Sequence, residues 1–370
     1  MMRSLTPDAN VESAGTREPA RGRRGVARRG GLRMAATAAA LGLALVTAAC
    51  GGSETESKPT AASGSWEDVV AAAEKEGNVT IYSGQGTDQL DELAAKFQEK
   101  YPKIKVEVVR GVETALAPKV EAEARTGKGV ADIFVTTDRN WLDASKANFV
   151  AARGPAFDDP AYNKAENVLA NSAFVTNAAV LTFASNTERF NGKLTDYAGL
   201  IDPALAGGKI GIPPTKGATF VDFYKYLEEN YGADYLQKLA AQKPRLYPSA
   251  LPMAEALSSG EISAATFVQP QVDEKEAGAP VEWGLADPAW GARFQGALLK
   301  SGPHPNAGQL LADFMITKDG QAAIARKNAA VLPDVPGAVA EVANVRKPST
   351  MTPEQVKEYE QKLSGLFGQG

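Results

Sequence analysis

Between Val79 and Trp141 the sequence alternates between the period of a strand and the period of a helix, and this pattern restricts the fold more than any other feature. "VTIYS" reads as a strand, and "TDQLDELAAKFQEKY" places Leu90, Leu93, Ala94 and Phe97 at helical spacing. "IKVEVV" is a second strand, and "ETALAPKVEAEART" a second helix with Pro118 expected in its first turn. "ADIFVTT" is a third strand. Such alternation predicts an α/β fold with a mostly parallel sheet. Further along, "VLTFASN", "GKIGIPPT" and "EISAATFV" are strand candidates. In "TFVDFYKYLEENYG", Phe220, Phe223, Tyr224, Leu227 and Tyr231 share one helix face, which reads as core packing. "PNAGQLLADFMITKDGQAAIARK" predicts two helices broken at "TKDG". In the tail, Thr352, Pro353 and Gln355 form a helix-start signal, and Val356, Tyr359, Leu363 and Phe367 an apolar stripe, so a terminal helix docking on the body is expected. Residues 66–345 are too many for one uninterrupted doubly wound sheet and suit two lobes.

The rest of the composition narrows the function. The chain has one Cys and one His, which rules out a Cys/His metal cluster and an internal disulfide framework. His304 lies in "SGPHPNAG", read as a rigid surface loop without a catalytic role. Residues 1–49 hold eight Arg against three Asp or Glu, a net of +5. With −4 for the whole chain, the remainder carries −9, so no nucleic-acid partner is expected. "RGRRGVARRGGLR" followed by "MAATAAALGLALVTAAC" reads as a secretory signal, too short for a membrane span of about 20 residues. "RRGGLR" also looks like a twin-arginine export signal, so Sec and twin-arginine routes both stand. "TAAC" resembles a lipobox with Thr47 where a larger aliphatic residue is usual, and lipidation of Cys50 is expected. "GGSETESKPTAASGS", residues 51–65, reads as a flexible tether spanning about 20 Å on average.

Four loops fall at predicted strand ends: "YSGQGT", "GVETAL", "TTDRNW" and "PTKGAT". Ligands of open parallel sheets bind beyond the carboxyl ends of the strands, and a helix start offers free N–H groups to an anion. "PTKGAT" is the most specific, with the charge of Lys216, the close approach allowed by Gly217, and the hydroxyls of Thr215 and Thr219. One such loop alone reads equally as a turn, whereas four together imply a site between lobes. No G-x-S-x-G elbow, Walker loop or S-x-x-K is present, and "GQG" is too short for a dinucleotide fingerprint, so no catalytic residue and no cofactor are assigned. Tyr82, Trp141, Tyr247 and Trp283 are aromatic candidates for a cleft wall, Trp141 foremost because it follows a strand-end loop.

"VTIYSGQGTDQLDELAAKFQEKYPKIKV", "GVADIFVTTDRNWLDASKANF", "GKIGIPPTKGATF", "EALSSGEISAATF" and "PNAGQLLADFMITKDGQ" together resemble the extracellular solute-binding proteins of ABC importers. The resemblance is to the ferric-iron-binding-like branch, which includes phosphonate- and sugar-phosphate-binding relatives. It covers nearly all of residues 78–330. It implies a two-lobed, type II periplasmic-binding fold with a hinge and an interlobe cleft, a permease partner, a monomer and no enzymatic activity. The expected organisation is a signal at 1–49, lipidated Cys and tether at 50–65, lobe one at 66–175 plus 290–345, lobe two at 176–289 and a C-terminal helix at 346–370. Iron-binding members place a His where this chain has Gly86, an acid where it has Thr137, and an adjacent Tyr pair where it has "FVQPQ" from Phe267 to Gln271. Ferric ion prefers phenolate, carboxylate and imidazole donors. The departures therefore predict no metal site and a small anionic solute: a phosphonate, a sugar phosphate or a carboxylate. The expected ligand-binding residues are Ser83, Gly84, Gln85 and Thr87, with Thr136, Thr137 and Asp138, from lobe one. From lobe two they are Thr215, Lys216, Gly217, Ala218 and Thr219, with Gln269 and Gln271 reading hydroxyls. Iron bound through carboxylates and added anions, and a secreted α/β hydrolase, are the alternatives.

Overall fold

A computed structural model describes residues 61, 64–169 and 172–368. The expected signal, Cys50 and most of the 51–65 tether lie outside the described residues. From Trp66 the chain runs α1 (Trp66–Glu76), β1 (Asn78–Ser83), α2 (Thr87–Lys100), β2 (Lys105–Arg110), α3 (Glu113–Thr126), β3 (Ile133–Thr136) and α4 (Arg139–Ser145). Short pieces follow: β4 (Phe149–Val150), α5 (Pro155–Asp158), α6 (Lys164–Asn167) and β5 (Val168–Leu169). They lead into a long strand, β6 (Ala173–Asn186). A second alternation gives β7 (Ile210–Ile212), α7 (Ala218–Tyr231), α8 (Tyr235–Ala241), β8 (Arg245–Leu246), α9 (Ala250–Ser258), β9 (Ala264–Val268), α10 (Val272–Glu276) and β10 (Val281–Gly284). Then β11 (Trp290–Leu299), α11 (Pro305–Met315), α12 (Lys318–Ile324), β12 (Ala329–Ala330), β13 (Ala340–Glu341) and α13 (Pro353–Phe367) complete the described chain.

Local signals explain several boundaries. Ser65 and Asp68 close a capping box on α1, and Gly77 ends it in the left-handed conformation. Thr352 and Gln355 do the same for the start of α13, with Pro353 at its first position. Pro118 lies inside α3, beyond the first turn where the sequence reading put it. Because α3 begins at Glu113, the amide that Pro118 lacks is an interior one, and the carbonyl four residues earlier loses its helical donor.

Eight of the described strands form one path, β2-β1-β3-β11-β6-β9-β7-β8, which is two sheets sharing β6. β1, β2 and β3 are mutually parallel, as are β7, β8 and β9. One core gathers Ile81, Leu93, Phe97, Ile133, Phe174 and Leu311. Another gathers Phe183, Tyr197, Ile212, Phe223, Tyr224, Leu257 and Trp290, and α13 adds Leu363 to it. A mixed α/β fold of the two-lobed periplasmic-binding kind results.

The shared strand fixes how the two sheets face. β11 is antiparallel to both β3 and β6, so β3 runs in the direction of β6, toward the second sheet. β9 is antiparallel to β6 and runs toward the first. The carboxyl ends of the two parallel sets therefore look at each other. The end of β3 is level with Val175 of β6, because Gln295 pairs with both Thr136 and Val175. The end of β9 is level with Thr182, which pairs with Val268. From Val175 to Thr182 an extended strand rises about 23 Å, and into that gap the strand-end loops project from both sides.

Candidate functional site

On the first edge, the loop after β1 is tied down by its own side chains. Ser83 Oγ donates to Gln85 Oε1 at 3.0 Å and accepts from the Gln85 amide at 3.1 Å. Gln85 Nε2 donates to Asn177 Oδ1 at 2.8 Å, and Asn177 Nδ2 donates to the Ile324 carbonyl. Asn177 belongs to β6 within the gap, so the loop is anchored to the strand shared by both sheets. Ser83 and Gln85 are buried, whereas Thr87 is exposed and Gly84 half-buried. Arg110, at the end of β2, donates from Nε to the Gln85 carbonyl at 2.8 Å.

The loop after β3 is organised by Glu113, the first residue of α3. Its Oε1 accepts from the hydroxyls of Thr136 and Thr137, both at 2.8 Å, and from the Thr137 amide. Both hydroxyl protons are thus committed, and what these threonines still offer is acceptor lone pairs. Asp138 caps α4 by accepting from the Trp141 amide. Gln295, level with Thr136, is buried with its Oε1 unpartnered.

On the second edge, Tyr224 donates its hydroxyl to the Pro213 carbonyl at 2.6 Å and fixes the loop after β7. Thr215 is buried with Oγ1 unpartnered, and Lys216, Gly217, Ala218 and Thr219 are exposed. Gly217 is required there: its φ of +107° is one that a side chain rarely adopts. α7 starts at this glycine without a side-chain cap. Its Gly217 amide is not vacant, as the sequence reading had it, but donates to Glu360 Oε1 of α13 at 2.7 Å. After β9, Gln269 is exposed, while Gln271 is buried with Nε2 on the Gln269 carbonyl and Oε1 unpartnered. Phe267 is buried against Phe223, Phe220 and Trp290. Among the described residues, no three His, Cys, Asp or Glu side chains gather where they would hold a metal ion.

The aromatic candidates are occupied by packing. Tyr82 is fully buried and donates its hydroxyl to Glu123; burial first, then that bond, push its pKa above the usual range. Trp141 donates Nε1 to Glu121 and meets Phe134 edge-on. Tyr247 donates to Glu261, and Trp283 packs on the second core. His304 is not on a free surface loop. It directly precedes α11 without a side-chain bond to that helix, is half-buried, and holds Asp132 Oδ2 through Nδ1 at 3.0 Å and Oδ1 through its amide at 2.7 Å.

A family model described as bacterial extracellular solute-binding protein matches residues 79–327. The chain belongs to this family. No curated protein matches it. Many solved structures share the fold of this solute-binding protein, three of them as follows. The substrate-binding protein of an ABC transporter from Agrobacterium tumefaciens is 16% identical, with a TM-score of 0.61 over 80% of this chain and 97% of its own. Iron-bound HitA from Pseudomonas aeruginosa is 20% identical, TM-score 0.58, over 77% and 99%. AfuA from Actinobacillus pleuropneumoniae, bound to exogenous fructose-6-phosphate, is 21% identical, TM-score 0.55, over 79% and 98%.

Five residues of the solute-binding protein's two edges escape the sequence reading. Asn177 and Gln295 are polar interruptions in apolar strands, "FVTNAAV" and "RFQGALL", which is a legible signal for a buried polar task. Arg110 ends a strand just before a glycine. Glu113 stands within "GVETAL" but only its fold partners reveal its role. Glu360, 143 residues from Gly217, has no local signature.

Proposed function

We propose that this protein captures a small anionic organic solute between the two facing strand edges and delivers it to the permease of an ABC importer. The observation that carries the reading is one cation on each edge, Arg110 and Lys216, with no ion-pair partner among the described residues, each beside the start of a helix whose N-cap residue is a glycine. First-turn amides of α2 and α7 add partial positive charge at the same places. Buried acceptors without partners, Thr215 Oγ1, Gln271 Oε1 and Gln295 Oε1, suit a solute that also carries hydroxyl donors. Where iron-binding members have phenolates, Phe267 is packed away and Gln269 and Gln271 are amides, poor donors for ferric ion. Lobe one comprises residues 66–175 and 290–345 and lobe two 176–289. The solute bridges them and favours the closed form through its differential affinity for it. Lipid on Cys50 and the tether hold the body at the extracytoplasmic membrane face.

Calorimetric titration of the chain with inorganic phosphate, methylphosphonate, fructose 6-phosphate, citrate and ferric chloride tests this reading. Binding of one of the organic anions, weakened at least tenfold by Lys216→Ala, is the expected result. Tight binding of ferric ion without an added anion, or indifference of anion binding to Lys216→Ala, overturns it.

A further inference from the structure

Besides β6 and β11, the chain passes once more from one core to the other, through the segment before α13. Val342 and Val345 are buried in the first core, whereas Met351 packs against the second and Leu363 is buried in it. The residues between them are held from both sides. Asp222, one turn into α7, accepts from Trp290 Nε1 of β11 at 2.9 Å and from Arg346 Nη1 at 3.0 and 3.1 Å. It also accepts from the Ser349 amide at 3.0 Å and from the Ser349 hydroxyl. Arg346 Nη2 donates to Glu229 of the same helix at 2.7 Å. Just upstream, Arg293 of β11 donates from Nη2 to the carbonyls of Val342 and Val345 at 3.2 and 2.7 Å. The next residue, Lys347, pairs with the first half instead: its Nζ lies 2.7 Å from Oε2 of Glu166 in α6. The neighbouring Asn167 donates to the carbonyl of Tyr162, a member of the first core. Two consecutive residues of one segment therefore grip opposite halves.

The two grips differ in kind. The side chains of Arg346 and Asp222 are 13% and 17% exposed, and Asp222 is bonded by three residues. Breaking such an arrangement leaves a poorly solvated charge, so it acts as a firm anchor. Lys347 and Glu166 are 71% and 53% exposed, a single pair that water and salt weaken. We infer that residues 345–350 form a strap between the halves, fixed on α7 by Arg346 and Ser349 and fastened reversibly to the first half by Lys347. The Lys347–Glu166 pair restrains the halves from separating. A weak fastening suits this task, because the halves must part for solute to enter and leave. α7 starts at the loop that carries Lys216, so the strap bears directly on where that edge stands. The inference stands on the two-lobed fold and does not depend on which solute is captured.

The test is small-angle X-ray scattering of the full chain without solute, at about 0.02 M and about 0.5 M salt, where exposed charges are weakly and strongly screened. Lys347→Ala is expected to raise the population of separated forms by up to about fivefold at low salt, read as a larger radius of gyration. Lys347→Glu, which adds repulsion, expands the protein further, and Glu166→Lys combined with Lys347→Glu restores the wild-type radius. At high salt the four proteins converge. Melting temperatures confirm that the variants fold, as the exposure of both residues leads one to expect. Equal radii at low salt overturn the inference, and so does a double variant as expanded as Lys347→Glu. A lowered melting temperature with an unchanged radius also overturns it, because the pair is then a stabilising surface contact only.

Discussion

At the scale of single residues, the two edges are governed by a few buried polar groups whose partners are fixed. Asn177 serves Gln85 with its oxygen and the Ile324 carbonyl with its nitrogen, so one amide joins a binding loop, the shared strand and α12. His304 works similarly away from the gap. Its hydrogen bond to Asp132 raises its pKa above the usual 6.5, helped by the charges of Asp132, Glu76 and Glu107 and opposed by burial. A raised folded-state value means that this contribution to stability is complete below the ordinary pKa and is lost as pH rises through the folded one. Thermal melts across about pH 5.5 to 8.5 are therefore expected to show stability falling with pH above about 6.5 in the wild type and a flatter profile in His304→Gln. An identical slope in both proteins would remove His304 from the account. Asn177 escaped the sequence reading although it left a signal there, a polar break in an apolar strand. The Asp132–His304 pair was not, because 172 residues separate its members and no periodicity reports a long-range partner.

At the scale of elements, the early strands and helices could be read because their apolar residues recur at clean periods. Leu90, Leu93 and Phe97 bury as their spacing predicts. The long strand β6 was seen only in its second half, because its first half carries Thr176 and Asn177 where a strand pattern wants apolar residues. The capping box of α13 was visible, but its consequence was not: the helix is anchored by Leu363 in the second core and by Tyr359 and Lys362 on Glu228, and it delivers Glu360 to the start of α7. A carboxylate there competes with any anion attracted by the same helix end. Glu360→Ala is expected to raise the affinity for inorganic phosphate about two- to fivefold at low salt, an effect that salt diminishes. Unchanged or weaker phosphate binding in the variant would show that Glu360 shapes the loop instead of guarding it.

At the scale of the whole molecule, the two-lobed plan followed from chain length and from the family resemblance, whereas the facing of the two edges needed the strand directions. Pairing register is a long-range property, and a sequence of alternating elements is compatible with several strand orders. Only the register shows that the loops after β3 and β9 close on the same stretch of β6. Across the gap, Lys327 forms an ion pair with Asp273 of α10, which follows directly on Gln271. An exposed pair of this kind is worth about 0–1 kcal/mol, so Lys327→Ala is expected to speed solute release by up to about fivefold in stopped-flow tryptophan fluorescence. Release that is unaffected at low ionic strength would exclude the pair as a brace on the closed form.

Because β6 lies in both sheets and contributes to both cores, neither half of this molecule is a separable module. A fragment ending before β11 leaves a bare inner strand edge in the first sheet, the kind of surface that seeds aggregation. Truncations, domain grafts and split reporters built on this chain should therefore keep β6 and β11 together, since this paired axle is what both halves are hung on.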